Sequence, residues 1–551
     1  MKKILILWVL LVSTLPVFAH VGSSGVLFQG NAGAYRVLVN VQPPDVIPGT
    51  AQITVFVESG TATSIMARPI YFRSGDEGAP SADAVEPVAG QLGQFQGIVW
   101  LMESGSSSIQ IDIDGKNGKG QLIVPIVAVS TAEREMPPAL GWTLSALGLL
   151  LVILMVTVIG AGVSDGVLQP GQELTKIQKR KRFQNMGIAF VICSVILYGG
   201  SSWWDSWASE YKQYLYKPMT ATSKMIKKDG QRVVQLQVDT TNWQGSRRQN
   251  SLNFLIPDHG KLMHLFLVRI PGMDAFAHLH PERADSVTFQ AYLPKLPVGK
   301  YLVYGDIVNY SGFTETITDT LEITEAEEAA QSIKKTDPED TYVVTDPLNK
   351  PKQIPLDENV VVCGRPGTKT YLKDSSYVVW EGKANRTFEV GRPYQLNFEV
   401  YAPDGTPAEL QTYLGMSGHA AIVRSDGSVY IHLHPVGTYA MAAEISLKNR
   451  IADTTRNYRR PNAKFFRDSI DKYITVFKGM PDTQREELLM KEMGMVDSKG
   501  NSTHEGMDHG SSISFPYSFP REGQYRIFLQ IKRNGQVLTG IFDARVTNPL
   551  L

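Results

Sequence analysis

Six of the ten histidines in this 551-residue chain fall into two matched triplets. One runs through HAAIVRSDGSVYIHLHP and holds His419, His432 and His434. Asp426-Gly427 lies there between alternating apolar residues, a hairpin signal because a type I′ turn takes two residues tolerant of positive φ. A turn at that point sets Arg424 opposite Val429, Ile422 opposite Ile431 and His419 opposite His434. The period-2 pleat then puts His432 on the same face. Directly opposed Cβ atoms lie about 4.5–5.5 Å apart, within reach of a shared metal ion for three imidazoles.

The other triplet occupies HLFLVRIPGMDAFAHLHPE, with His264 opposite His280 across a loop at Pro271-Gly272 and His278 diagonal to them. The first histidine precedes the HxHP motif by 14 residues here and by 13 in the later copy. The surroundings also repeat. Leu252-Asn253-Phe254 and Leu396-Asn397-Phe398 lead in, and Pro297-Val298-Gly299-Lys300-Tyr301 and Pro520-Arg521-Glu522-Gly523-Gln524-Tyr525 follow. The two stretches belong to a duplicated domain.

Imidazole suits Zn, Cu, Ni and Fe, so a three-histidine site does not choose its metal. Thioether would favour Cu(I): Met416 lies three residues before His419, whereas Met263, beside His264, should point to the opposite strand face. The competing reading is a set of hydrogen-bonded histidines at a packed sheet face. A second group, Met493, Met495, His504, Met507 and His509, lies in KEMGMVDSKGNSTHEGMDHG. It reads either as a soft copper-binding tract or as a polar loop after a short amphipathic helix. No HExxH, GxSxG, Walker or CxxC motif is present, and Asp and Glu form no paired constellation.

These residues need strands to position them. With 48 Gly, 31 Pro and many short alternating apolar runs, the chain is expected to be mainly β, and its length implies several domains. Formal net charge is zero, which gives no indication of nucleic acid as a partner. Residues 1–19 have the charged start, apolar run and VFA end of a secretory signal peptide. Cleavage there would leave His20 at the mature end, where amine and imidazole on one residue can chelate copper. Residues 20–135 are expected to form a β-sandwich, from the alternation of Ile53, Val55 and Val57 and of Ile109, Ile111 and Ile113.

Residues 139–163 and 186–204 are uncharged and apolar, long enough to cross a bilayer. The loop between them, 164–185, carries Lys176, Lys179, Arg180, Lys181 and Arg182, which the positive-inside bias places in the cytoplasm. Both chain ends then lie outside it. The first repeat spans 218–325, a linker 326–384, and the second repeat 385–549, with an insertion from Pro435 to Phe515 that is helical near Asp482–Met493. Asn534-Gly535 marks the closing hairpin. Cys193 and Cys363 sit in an apolar and a polar segment, so no internal disulfide is expected, and Cys193 reads as a packing residue.

The HxHP hairpins, the PxGxY segment and the strand pattern of the two repeats resemble YtkA-like and FixH-like extracytoplasmic domains. A mature-end His20 ahead of a β-rich domain is similar to CopC-like periplasmic copper proteins. The resemblance implies Ig-like β-sandwiches; this chain departs from those families by joining three such domains, with a two-helix transmembrane hairpin between the first and second. It also implies copper, less so zinc, as the bound metal, held by one triplet per repeat. The expected function is therefore a bacterial inner-membrane protein with its large domains outside the cytoplasm. It would bind metal for relay, storage or delivery to a copper-receiving envelope protein. An interaction module of an envelope complex and a copper-dependent oxidoreductase are the alternatives.

Overall fold

The computed structural model describes residues 25–133, 136–164, 168–169, 171–241, 243, 251–324, 334–348, 360–361, 363–383, 386–454, 458–492 and 510–549. The signal-peptide stretch, His20 and the group Met493, Met495, His504, Met507 and His509 lie outside them. The chain divides into two compact units, 1–128 with 218–551, and 129–217.

The smaller unit holds the helices Pro138–Ser164 and Lys176–Tyr214, both long and apolar enough to span a membrane. They pack where Gly160 meets Met186. The basic residues 176–182 are the opening turns of the second helix. Thr175 caps that helix, accepting from the Gln178 amide while the Gln178 side chain accepts from the Thr175 amide.

The larger unit is mainly β, and among its described residues the strands form five sheets. Its N-terminal part is one eight-stranded antiparallel sheet from Val26–Ala32 to Gly118–Ala128. The expected two-layer sandwich is replaced by a barrel-like sheet. Its first and last strands meet where Gly120 lies against Ala32, an approach that leaves no room for a Cβ. Ile53, Val55, Ile109, Ile111 and Ile113 are buried inside, as their alternation requires.

The duplication extends to topology. In the first repeat the strand order is Thr314–Ile323, Gly299–Asn309, His264–Ile270, Ala275–Leu279. In the second it is Gln536–Thr547, Gly523–Arg533, His419–Arg424, Tyr430–Leu433. The PxGxY segments are equivalent: each opens its strand on a glycine with positive φ, 141° at Gly299 and 136° at Gly523. Tyr301 donates to the Pro297 carbonyl at 2.6 Å, and Tyr525 to that of Arg521 at 2.7 Å. The Leu-Asn-Phe match is not equivalent. Leu252–Phe254 lies in a short 3₁₀ helix and Leu396–Phe398 in the strand Pro393–Tyr401.

Both triplet hairpins keep the expected register. Ile422 pairs with Ile431 and Ala420 with Leu433, and Leu265 pairs with Leu279, which by extension sets His264 opposite His280. The turn type at 426–427 differs, because only Gly427 has positive φ, 73°. The Asp426 carboxylate instead accepts from the Ser428 amide and hydroxyl, which fixes a wider loop closed by Gly427 N–H to the Arg424 carbonyl. At the closing hairpin both Asn534 and Gly535 have positive φ, the type I′ signature.

Each histidine strand is apolar on both faces, and the fold uses both. Leu265, Leu267, Ala277 and Leu279 enter the first repeat's core; Ala420, Ile422 and Leu433 enter the second's. The opposite faces pack on each other. Phe276 stacks on Phe528 at 4.1 Å between centroids and Tyr304 on Tyr430 at 4.2 Å, within a cluster that includes Phe266, Val268, Ala421 and Val423. The fully buried Arg526, paired with Asp543 at 2.7 and 3.0 Å, donates across this seam to the Met273 and Asp346 carbonyls.

Segments outside the two repeats as delimited from sequence contribute to the same body. The strand Thr341–Thr345 extends the first repeat's sheet, and Tyr377–Trp380 pairs with Pro393–Tyr401 of the second. Among the described residues, the insertion forms three helices, Met441–Ala452, Ala463–Lys478 and Asp482–Glu492. Phe477 and Leu489 from these helices join Phe28 and Tyr439 in the barrel's apolar cluster.

Candidate metal centre

The face-to-face packing brings both triplets into one buried cluster, with a seventh histidine, His259. That residue was not expected at the site from the sequence. It occupies the tip of a tight turn in PDHGK, where Asp258 and Lys261 exchange backbone hydrogen bonds of 2.9 Å. Both tip residues are left-handed, His259 at φ 51° and Gly260 at φ 75°. A Cβ at Gly260 would lie 2.3 Å from Phe477 Cε1, so glycine is required there. The His-Gly pair five residues before His264 was the available signal.

Grouped by ring nitrogens within 4.8 Å of one another, the histidines make two triads. The first is the expected set, His264, His278 and His280. The second crosses the seam and joins His259 to His419 and His434. His432, expected as the third member of the later triplet, instead stands between the triads. Its ring centroid is 5.1 Å from that of His264 and 4.6 Å from that of His434.

The first triad has a surrounding shell that fixes its protons. His264 Nε2 faces the Asp258 carbonyl at 3.2 Å, His278 Nδ1 faces Gln530 Oε1 at 2.8 Å, and His280 Nδ1 faces Asp340 Oδ1 at 3.0 Å. All three partners are acceptors, so each ring carries its proton on the outer nitrogen. The inner nitrogens, His264 Nδ1, His278 Nε2 and His280 Nε2, are then bare lone pairs. Two of them approach to 3.1 Å. Lone pairs at that distance repel unless a cation lies among them. Such outer-shell acceptors are the usual means of orienting metal-ligating histidines. Turning the Gln530 amide over would convert this into a hydrogen-bonded chain, yet His280 Nε2 would still be buried without a partner.

His419 is fully buried, and neither ring nitrogen has a hydrogen-bond partner among the described residues; His432 Nε2 is likewise unpaired. Leaving such groups unsatisfied costs on the order of 1–3 kcal/mol each. His434 Nδ1 donates to the Tyr439 carbonyl at 2.8 Å, which points its bare Nε2 at His259 Nε2, 3.2 Å away. Burial favours the neutral form of six of these imidazoles, His259, His264, His278, His419, His432 and His434. His259 is pushed down to about 3 and His434 to about 4, each first by burial. His264, His278, His419 and His432 are lowered well below their ordinary value, again first by burial and then by neighbouring histidines. Neutral imidazoles need lose no proton to bind a metal.

Acidic groups ring the cluster. Burial raises Asp306 to about 6, against hydrogen bonds from Thr316 and Tyr430, and its Oδ2 lies 3.8 Å from His432 Nδ1. Lys261 is buried between Asp337 at 2.8 Å and Glu339 at 2.6 Å. Burial opposes the Asp337 charge, but Lys261 and the other groups around that carboxyl, the Glu339 amide among them, together hold it well below the usual range. Asp337, Glu339 and Asp340 come from the stretch read as linker, which gave no sign of a role at the site. Asp258 Oδ1 accepts from the Ala442 amide at 2.8 Å, joining the His259 turn to the first insertion helix. The barrel's first strand pairs with the loop after His434, with Gln29 N–H to the Val436 carbonyl at 2.8 Å.

Met416 is buried in the apolar cluster with Phe28 and Tyr439, and Met263 in the first repeat's core, the face opposite the histidines. Cys363 is a free thiol 3.0 Å from Thr345 Oγ1, and Cys193 is free within the second long helix. A further group, Glu339, Asp482 and Glu486, is paired with Lys261 and Lys532. The all-imidazole donor set, pre-oriented and desolvated, fits a borderline transition-metal ion.

Comparisons with known proteins leave function open. Residues 374–459 match the model of a domain of unknown function, DUF8832. No curated protein matches the chain. Two similar solved structures are an endo-fucoidan hydrolase variant of glycoside hydrolase family 107 and dimeric latent PorU from Porphyromonas gingivalis. The hydrolase is 9% identical over 92% of this chain and 43% of its own, with a TM-score of 0.13. PorU is 8% identical over 91% and 32%, with a TM-score of 0.12. The chain thus spans less than half the length of either.

Proposed function

We propose that this is a membrane-anchored protein that holds a transition-metal ion, copper first and zinc second, in the histidine centre between its repeats. The observation that carries the reading is the first triad. With the Gln530 oxygen toward His278, three outer nitrogens meet acceptors and three inner lone pairs converge; with the amide turned over, His280 Nε2 is still buried without a partner. Such a metal would supply cationic charge among those lone pairs. Asp258, Gln530 and Asp340 orient the rings, and the apolar seam excludes water.

Burial on every side favours retention or slow delivery over rapid relay, since exchange requires the seam or the insertion to open. The same burial weighs against an interaction module that uses these faces, because the two repeats cover each other. The finer topology belongs to the same proposal. Both long helices cross the bacterial inner membrane, the basic turns 176–182 lie in the cytoplasm, and a cleaved leader precedes the extracytoplasmic barrel. The two repeats are Ig-like sandwiches, supported by matched strand order and by the tyrosines that close the same corner in each.

The test is metal content of the full-length protein in detergent, purified without added metal and then offered Cu(I), Cu(II) and Zn(II) against competing chelators. Tight binding in the wild type, lost from the first triad in a His278→Asn/His280→Asn variant, is the expected result. Wild-type protein that retains no ion against a weak chelator would overturn the reading.

A further inference from the structure

We infer that the centre is dinuclear: a second ion sits on His259, His419 and His434, beside the ion on the first triad. The inference rests on the metal-binding reading and extends it from one repeat to the seam. Three observations point to it independently of the first triad.

His419 is 0% exposed and has no partner at either ring nitrogen among the described residues. A neutral imidazole carries one N–H and one lone pair. Packing alone would therefore strand both a donor and an acceptor at one residue, whereas an ion on the lone pair satisfies half of that and strengthens the remaining N–H as a donor. His434 is oriented as a ligand, because Nδ1–H donates to the Tyr439 carbonyl and directs the lone pair of Nε2 inward. His259 is delivered to the same point by backbone that only a left-handed His-Gly tip provides. Its ring centroid lies 5.1 Å from His419 and 4.9 Å from His434, and the third side of this triangle is 5.1 Å. The corresponding sides of the first triad are 5.3, 5.2 and 4.5 Å, so the two sets match in size.

His432 makes the two positions one centre. It lies within 5.7 Å, ring to ring, of His278 and closer to His264, His419 and His434. Its unpaired Nε2 is buried among them, while Nδ1 faces Asp306. It can thus complete the coordination of either ion. The second triad also requires both repeats: His259 comes from one and His419 and His434 from the other. The second ion therefore bridges the seam, and the first does not.

The experiment counts ions. Metal-stripped full-length protein in detergent is loaded with Zn(II), and bound zinc per chain is measured after removal of the excess. Two ions are expected for the wild type, and one for a His419→Asn/His434→Asn variant. One ion in the wild type, unchanged in that variant, would remove the second site and leave the first reading intact; no ion would overturn both. Should the variant fail to fold, wild-type protein loaded with Cu(II) decides. Two adjacent ions broaden or cancel each other's paramagnetic resonance signal. A full-intensity, isolated-ion spectrum from a protein holding two coppers would refute the side-by-side placement.

Discussion

Acidification should loosen the metal-free protein at the seam, by an amount the buried groups set. A histidine whose folded pKa is depressed contributes stability that is complete above its ordinary value, about 6.5. That contribution is lost as pH falls toward the folded value, because only the unfolded chain takes up the proton. His259, at about 3, and His434, at about 4, are both of this kind. Between about pH 7.5 and about pH 5.5 the two together then cost about 3 kcal/mol. Asp306 opposes them: its folded value, raised to about 6, lets the native state bind the proton first. That returns about 1 kcal/mol over the same interval. The net loss from these three groups is about 2 kcal/mol. His264, His278, His419 and His432 add to it, while raised Asp258 and Glu486 subtract. Amide hydrogen exchange of the strands His264–Ile270 and His419–Arg424, corrected for intrinsic rates, reports the opening equilibrium directly. An increase in opening of about 30-fold corresponds to that net loss. An opening constant that stays level or falls on acidification would refute the assignment of neutral, desolvated imidazoles.

Three further outcomes follow from particular contacts. Phe276→Ala removes a ring stacked at 4.1 Å on Phe528 and should cost about 3–5 kcal/mol, read as a lower thermal midpoint; a change below about 1 kcal/mol would mean the seam is not the packed interface described. Gln530→Leu should weaken metal binding by about 10–100-fold, with Gln530→Glu retaining it, since only an acceptor keeps the proton on His278 Nδ1. Equal affinities in competition titrations of the two variants would count against that tautomer. Gly260→Ala forces a Cβ to 2.3 Å from Phe477 in a left-handed turn, and should release one of the two ions while the first triad keeps its own; unchanged stoichiometry would show that His259 is not a ligand.

The hairpin register was legible because it is local. Turn residues and period-2 alternation decide which side chains share a strand face, and that placed His264 with His278 and His280, and His419 with His432 and His434. The two apolar helices were legible for a similar reason, since length and composition suffice. HLFLVRI also carried a hint that went unused: a strand apolar on both faces must be covered on both.

What covers a face is another matter. Periodicity cannot state that one repeat's histidine face is buried by the other's, because the residues involved lie more than 100 positions apart and meet only through shape complementarity. Tertiary structure alone therefore exchanged His432 for His259 in the second triad and brought the two triplets into one histidine cluster. It also drew Asp340 from an apparent linker and Gln530 from a distant strand to hold the rings. The chemistry available to each histidine was fixed by its residue type; its neighbours were fixed by how two sheets dock.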